Sequence, residues 1–152
     1  TTLTPNLGVV RLPDFRSFVV ADIPGIIEGA HEGRGLGLQF LRHIERTRTL
    51  AFLIPADAED HQVEYDQLRE EVRSYSDELA GTPHCVVVTK TDLLPPDSPL
   101  PEISSDDAWG VFHISAVVKK GLAPLLESLY GRAHKEAKED VQDEGEEWWV
   151  PE

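Results

Sequence analysis

The sequence predicts an α/β fold in which a mostly parallel sheet is flanked by helices on both faces. Two segments, Thr49 to Ala56 (TLAFLIPA) and His84 to Thr89 (HCVVVT), are apolar runs of strand length, the pattern of strands covered on both sides. Amphipathic stretches with helical spacing separate and follow them, and that alternation implies parallel strands joined by crossover helices. With 152 residues and 40% hydrophobic content, the chain can bury one core but not two ordinary ones. One domain over residues 1–134 and an acidic tail over 135–152 are expected.

The elements are read in order. Val9 and Val10 close a short apolar stretch, Leu12-Pro13-Asp14 supplies turn chemistry, and Ser17 to Asp22 (SFVVAD) reads as a second strand, so a hairpin is expected. Leu36, Phe40, Leu41 and Ile44 share one helical face, which predicts a helix from about 35 to 47. The TLAFLIPA strand follows. Tyr65, Leu68, Val72, Tyr75 and Leu79 then recur at three and four residues, giving one long helix that stops at Gly81-Thr82-Pro83. After the HCVVVT strand and a Pro-rich loop at 94–101, Gly110 to Ile114 reads as the last strand. Leu122, Leu125, Leu126 and Leu129 mark the closing helix. The predicted order is β-β-α-β-α-β-loop-β-α.

Composition excludes several classes. No stretch approaches the ~18 apolar residues of a membrane span, and no signal peptide is visible, so a soluble, cytoplasmic protein without a membrane partner is expected. The single cysteine, Cys85, lies in a strand-like run and reads as a buried thiol, which leaves no disulfide framework or cysteine metal site. The six histidines show no close-spaced ligand set. A net charge of -14 argues against general nucleic-acid attraction, and no DNA partner is expected. Seven acids and no Lys or Arg lie from Glu139 onward, around Trp148-Trp149, which reads as a docking element or a disordered end. Arg34, Arg42, Arg46 and Arg48, with His31 and His43, gather instead around the 35–47 segment, as a basic stripe or a solvated face.

In an open parallel sheet, ligands bind beyond the carboxyl ends of the strands. Asp22-Ile23-Pro24-Gly25 follows the second strand, where a carboxylate reaches a magnesium ion and a glycine amide faces a terminal phosphate. Thr89-Lys90-Thr91-Asp92 follows the HCVVV run. There the Asp92 carboxylate can accept from the ring N–H and exocyclic amine of guanine while the Lys90 stem packs on the base. Ser115-Ala116 follows the VFHI strand and would close a base pocket with a backbone N–H. Each motif alone also reads as an ordinary turn.

Together, in this order, they resemble the G domain of the Obg family of GTPases. Thr1 to Gly8 (TTLTPNLG) resembles its first switch, Asp22 to Ala30 (DIPGIIEGA) its second, and Gly35 to Arg48 (GLGLQFLRHIERTR) the helix that follows. The likeness extends from Thr1 to about Arg132. It implies a P-loop NTPase architecture of the Ras-like kind, binding GTP and GDP with Mg2+ and acting in assembly of the large ribosomal subunit. By resemblance, Thr2 (or its neighbour Thr1) meets magnesium and the terminal phosphate, Asp22 is the magnesium-linked acid, and Gly25 senses the phosphate. Thr2 and Gly25 are the candidate catalytic residues. The candidate nucleotide-binding residues are Asp22, Ile23, Pro24 and Gly25, then Thr89, Lys90 and Asp92, and finally Ser115, Ala116 and Val117.

The sequence departs from that family in two places, at Thr89 and in the absence of a phosphate-binding loop. Thr89 stands where the family usually has Asn, so a shorter hydroxyl replaces a bracing amide. Ile26 stands where many GTPases orient the attacking water with glutamine, which implies slow hydrolysis. No G-x-x-x-x-G-K-[ST] occurs anywhere in the chain. The resemblance therefore implies an N-terminally truncated G domain that begins within the first switch and is inactive or weak alone. The alternative is a non-enzymatic interaction module that has lost nucleotide binding.

Overall fold

The computed structural model describes residues 6–23 and 46–140, with side chains as far as His134. Two strands open it. β1 (Asn6–Arg11) and β2 (Ser17–Asp22) pair antiparallel, in a register running from Asn6 opposite Asp22 to Arg11 opposite Ser17. The expected hairpin is present. Its turn places Asp14 and Phe15 in the left-handed region (φ 65° and 58°), and Leu12 N–H donates to the Arg16 carbonyl at 2.8 Å.

β3 (Leu50–Pro55), β4 (His84–Thr89) and β5 (Val111–His113) form a parallel sheet in that order, with Phe52 opposite Val86 and Val88 opposite His113. Between β3 and β4 run α1 (His61–Tyr75) and the short α2 (Asp77–Ala80); α3 (Leu122–Asp140) follows β5. The apolar run of β4 behaves as its composition requires, for residues 84–88 are all buried. Its alternating side chains divide the core in two. Val86 and Val88 join Phe52, Ile54, Tyr65, Val72 and Leu79 beneath α1, whereas Cys85 and Val87 join Ile114 and Leu125 beneath α3. The helices therefore cover opposite faces of the sheet. Burial pushes the Cys85 thiol up to about 11.

The long helix expected to reach Gly81 is instead two. Ser76 is extended (φ -159°, ψ 121°): its N–H closes α1 on the Val72 carbonyl, and its hydroxyl accepts from Leu79 N–H to open α2. A serine followed by Asp77 and Glu78 is a strong helix start, and here it overrides the apolar spacing that runs through it. Asp60 caps α1 in the same way, accepting from Val63 N–H at 3.0 Å. The loop from 94 to 110 contains no strand. Gln62 braces it, accepting from Ser104 N–H at 2.8 Å and donating to the Ser104 carbonyl at 3.0 Å. The helix predicted over 35–47 lies outside the described residues except for its last two positions, as do Trp148 and Trp149.

At the amino ends of the strands a polar chain crosses the core. Tyr65 Oη lies 2.6 Å from His84 Nε2 and 2.8 Å from Ser105 Oγ, and Ser105 donates to Asp107, which takes a bidentate pair from Arg69 at 2.9 and 2.6 Å. An ionised Asp107 only accepts, so Ser105 spends its proton there. Tyr65 must then donate to Ser105, and His84 must donate to Tyr65 from Nε2. Burial, and next the nearby Arg69 cation, hold the His84 imidazole below its ordinary 6.5.

The hairpin joins this body through α3. Arg16 grips Glu127 with two bonds of 2.6 and 2.8 Å and lies over the Tyr130 ring, while Ile23, just past β2, packs against the α1-side core. Among the described residues neither hairpin strand pairs with the parallel sheet.

Candidate functional site

The carboxyl ends of β4 and β5 bring two separate sequence motifs together. Beyond Thr89 the chain turns sharply at Lys90, whose φ of 58° is left-handed, and enters a 3-10 turn over Thr91–Leu93. Thr91 N–H donates to the Ile114 carbonyl at 3.1 Å, so the turn hangs from the last residue before Ser115. Ile114 N–H in turn donates to the Val88 carbonyl at 2.8 Å. These bonds place Asp92 beside Ser115, although 23 residues separate them in sequence.

Ser115 is 0% exposed and its hydroxyl donates to Asp92 Oδ1 at 2.7 Å while accepting from Val118 N–H at 3.3 Å. A buried hydroxyl with both capacities committed is a fixed strut rather than a freely turning group. It orients the carboxylate, which stays exposed and keeps acceptor capacity on both oxygens. The exposed Lys90 and the exposed Ala116 and Val117 flank it on the two following loops, and Thr89 is half-buried at the end of β4. The arrangement presents an oriented anionic acceptor pair beside a lysine stem. A ligand edge with two adjacent N–H donors matches it.

Loop closure around Ser115 was not legible as a site. Ser115 and Lys120 exchange two backbone hydrogen bonds of 2.9 Å, Lys119 is left-handed (φ 56°), and Gly121 follows at φ 75°. The signal available in sequence was the Lys119-Lys120-Gly121 run just ahead of the closing helix, a turn pattern with no tie to chemistry.

The second strand-end motif is only partly described. Asp22 closes β2 with an exposed carboxylate, and Ile23 anchors that end to the core. Thr2, Pro24 and Gly25 lie outside the described residues, as do Arg34, Arg42, His31 and His43 of the basic stripe; only Arg46 and Arg48 of it are described. Among the described residues no group of three or more His, Cys, Asp or Glu side chains could hold a metal ion. A single exposed carboxylate does fit magnesium, which commonly takes one or two protein carboxylates and fills its other positions with phosphate oxygens and water. The four described histidines are engaged otherwise: His61, His113 and His134 with backbone carbonyls and His84 with Tyr65. No helix among the described residues is long and apolar enough to cross a membrane.

Comparison with known proteins gives the chain a family. Residues 1–90 match the family described as 50S ribosome-binding GTPase. The chain is similar to the "GTPase Obg" of Chloroherpeton thalassium, 54% identical over 130 residues, which cover 86% of this chain and 39% of that protein. It is also similar to the "GTPase Obg" of Chlorobium luteolum, 50% identical over 150 residues (96% and 43%), and of Chlorobaculum parvum, 46% over 145 residues (95% and 43%). The chain thus spans about two-fifths of the length of the curated relatives it matches. The match over residues 1–90 and these identities agree: the chain belongs to the 50S ribosome-binding GTPase family, and Obg GTPases are among its relatives.

Proposed function

We propose that residues 1–134 are the guanine-reading part of a GTP-binding protein that hydrolyses GTP to GDP slowly and acts in the cytoplasm on the large ribosomal subunit. The observation that carries the reading is the 2.7 Å bond from Ser115 to Asp92, which turns two weak sequence motifs into one rigid acceptor. Guanine offers adjacent ring N–H and amine donors to such a carboxylate, and adenine has no matching pair. Lys90 would cover the base with its stem, while Thr89, Ala116 and Val117 line the rest of the pocket.

Asp22 would hold Mg2+ together with Thr2, and the backbone around Ile23, Pro24 and Gly25 would face the terminal phosphate. Bound magnesium supplies charge neutralisation at the phosphates. The chain's own residues supply little for water activation, because Ile26 offers no hydrogen bond where a water-orienting glutamine is often found. Slow intrinsic turnover follows, with the triphosphate state read by a partner through Thr2 and Gly25. The description of the matched family names binding to the 50S ribosome, and that partner is carried here as part of the same proposal.

Titration of a fluorescent GDP analogue with magnesium tests it, using this chain and a version extended upstream with a G-x-x-x-x-G-K-[ST] loop. Saturable binding by the extended version, displaced by GTP and not by ATP, supports the reading. No binding by either would leave an interaction module that does not use nucleotide.

A further inference from the structure

Gly121 sits where the end of β5 meets the start of α3. A Cβ at this position would lie 2.3 Å from the His113 carbonyl oxygen, 3.3 Å from its carbon and 3.5 Å from Ile114 Cα. All three are backbone atoms and cannot rotate away, and a φ of 75° is itself costly for other residues. Any side chain at 121 must therefore lift the start of α3 from the last peptides of β5.

Those peptides carry the base-reading apparatus. The Ile114 carbonyl holds Thr91 N–H, and the next residue is Ser115. The Ser115–Lys120 loop closes through two backbone bonds of 2.9 Å, and Lys120 is the immediate neighbour of Gly121. Asp92 accepts no other side-chain hydrogen bond among the described residues than the one from Ser115. Whatever displaces the loop releases the carboxylate.

We propose that Gly121 is a positioning residue for base specificity: its close approach to His113 closes the Ser115–Lys120 loop and so holds the Ser115 hydroxyl against Asp92. The inference rests on Asp92 as the guanine reader. A glycine that merely opened a helix would affect stability and weaken every nucleotide alike. Gly121 acts on the choice of base, because its effect passes through the single strut that aims the acceptor.

Hydrogen exchange on the chain and its Gly121→Ala variant tests the mechanical half. The amides of Thr91, Ser115, Val118 and Lys120 should exchange faster in the variant while those of β3 and central β4 keep their rates; equal rates at the four positions, or uniform acceleration, overturn the proposal. NMR titration with GDP and with IDP, which lacks the exocyclic amine, tests the specificity half on whichever of the chain and its upstream-extended version binds the GDP analogue. Gly121→Ala should lower the preference for GDP over IDP by about tenfold, the scale of one weakened charge-assisted hydrogen bond. Ser115→Ala, which removes the hydroxyl without a backbone clash, should lower it comparably, and the double variant no further. Additive losses overturn the role of Gly121 alone, whereas a wild-type chain with no preference for GDP over IDP overturns the guanine reading and the specificity role with it.

Discussion

With Asp92 as the proposed guanine reader, its replacement by asparagine should turn the preference towards xanthine, because the structure determines which way the new amide faces. Ser115 donates to Oδ1 at 2.7 Å, and among the described residues its buried proton has no other acceptor, so an amide NH2 at that place would leave the proton unpaired. The serine proton must therefore meet the oxygen of the introduced amide, at the place Oδ1 now occupies, which sends the NH2 group to the place of Oδ2. Guanine would then bring its adjacent donors to one acceptor and one opposing donor. Xanthine, with a carbonyl in place of the amine, would fit. Two charge-assisted bonds of about 1.5–3 kcal/mol each are lost for GDP, and one neutral bond of about 1 kcal/mol is regained. Taking the lower values because Asp92 is exposed, the net loss is about 2 kcal/mol, or roughly 30-fold in affinity. Competition of GDP and XDP against a fluorescent nucleotide measures it, on whichever version of the chain binds the GDP analogue. An Asp92→Asn variant that keeps the wild-type ratio of GDP to XDP affinity would refute the geometry. Adding Ser115→Ala should free the amide to turn over and narrow the switch.

Further predictions concern the body of the fold. Tyr65→Phe removes a hydroxyl that serves both His84 and Ser105 from a side chain only 1% exposed, so it should cost about 2 kcal/mol in urea unfolding; a change below ~0.5 kcal/mol would show that the polar chain contributes little. Because burial holds the His84 imidazole below 6.5, the unfolded chain takes up its proton first: stability should be complete above that pH and decline as pH falls through it towards the lower folded value. A His84→Gln variant should flatten the difference in urea midpoint between about pH 7.5 and 5.5, whereas Asp107 and Glu127, held below their ordinary 3.8 and 4.5, act only in stronger acid. Cys85, 0% exposed and pushed up to about 11, should react with a thiol reagent at neutral pH only as fast as the chain opens; labelling within the mixing time would contradict its burial.

What was legible in the sequence followed from period and burial. The run HCVVVT is apolar at every position except its ends, which fits only a strand buried on both faces, and β4 has those bounds. The SFVVAD strand and the closing leucine face were equally direct. The helix through Val72 to Leu79 misled because apolar spacing continues through Ser76, and only the competing serine cap breaks it. At the site, sequence order placed Asp92 and Ser115 beyond the ends of two strands, but did not show that one aims the other. That relation depends on the parallel register of β4 and β5 and on a loop closed by Lys120, which no local pattern encodes. Gly121 was invisible for the same reason: its requirement comes from the carbonyl of His113, well back in the chain and met only after folding.

Thr89 shows how the turn at the site is held without help from the side chain that precedes it. An asparagine there would brace the pocket with an amide, and the threonine hydroxyl makes no hydrogen bond among the described residues. The backbone at Thr89 remains anchored, since its carbonyl accepts from Ala56 N–H at 2.8 Å. The turn beyond it is then held from the other side, by Ile114 through Thr91 and by Ser115 through Asp92. The turn is braced by the strand beside it and not by the side chain that precedes it. Restoring the amide with Thr89→Asn should therefore raise guanine affinity little while Ser115 is intact, and more in a Ser115→Ala background where the neighbouring strut is gone. Equal gains in the two backgrounds, read by the same GDP titration, would mean that the two braces act independently.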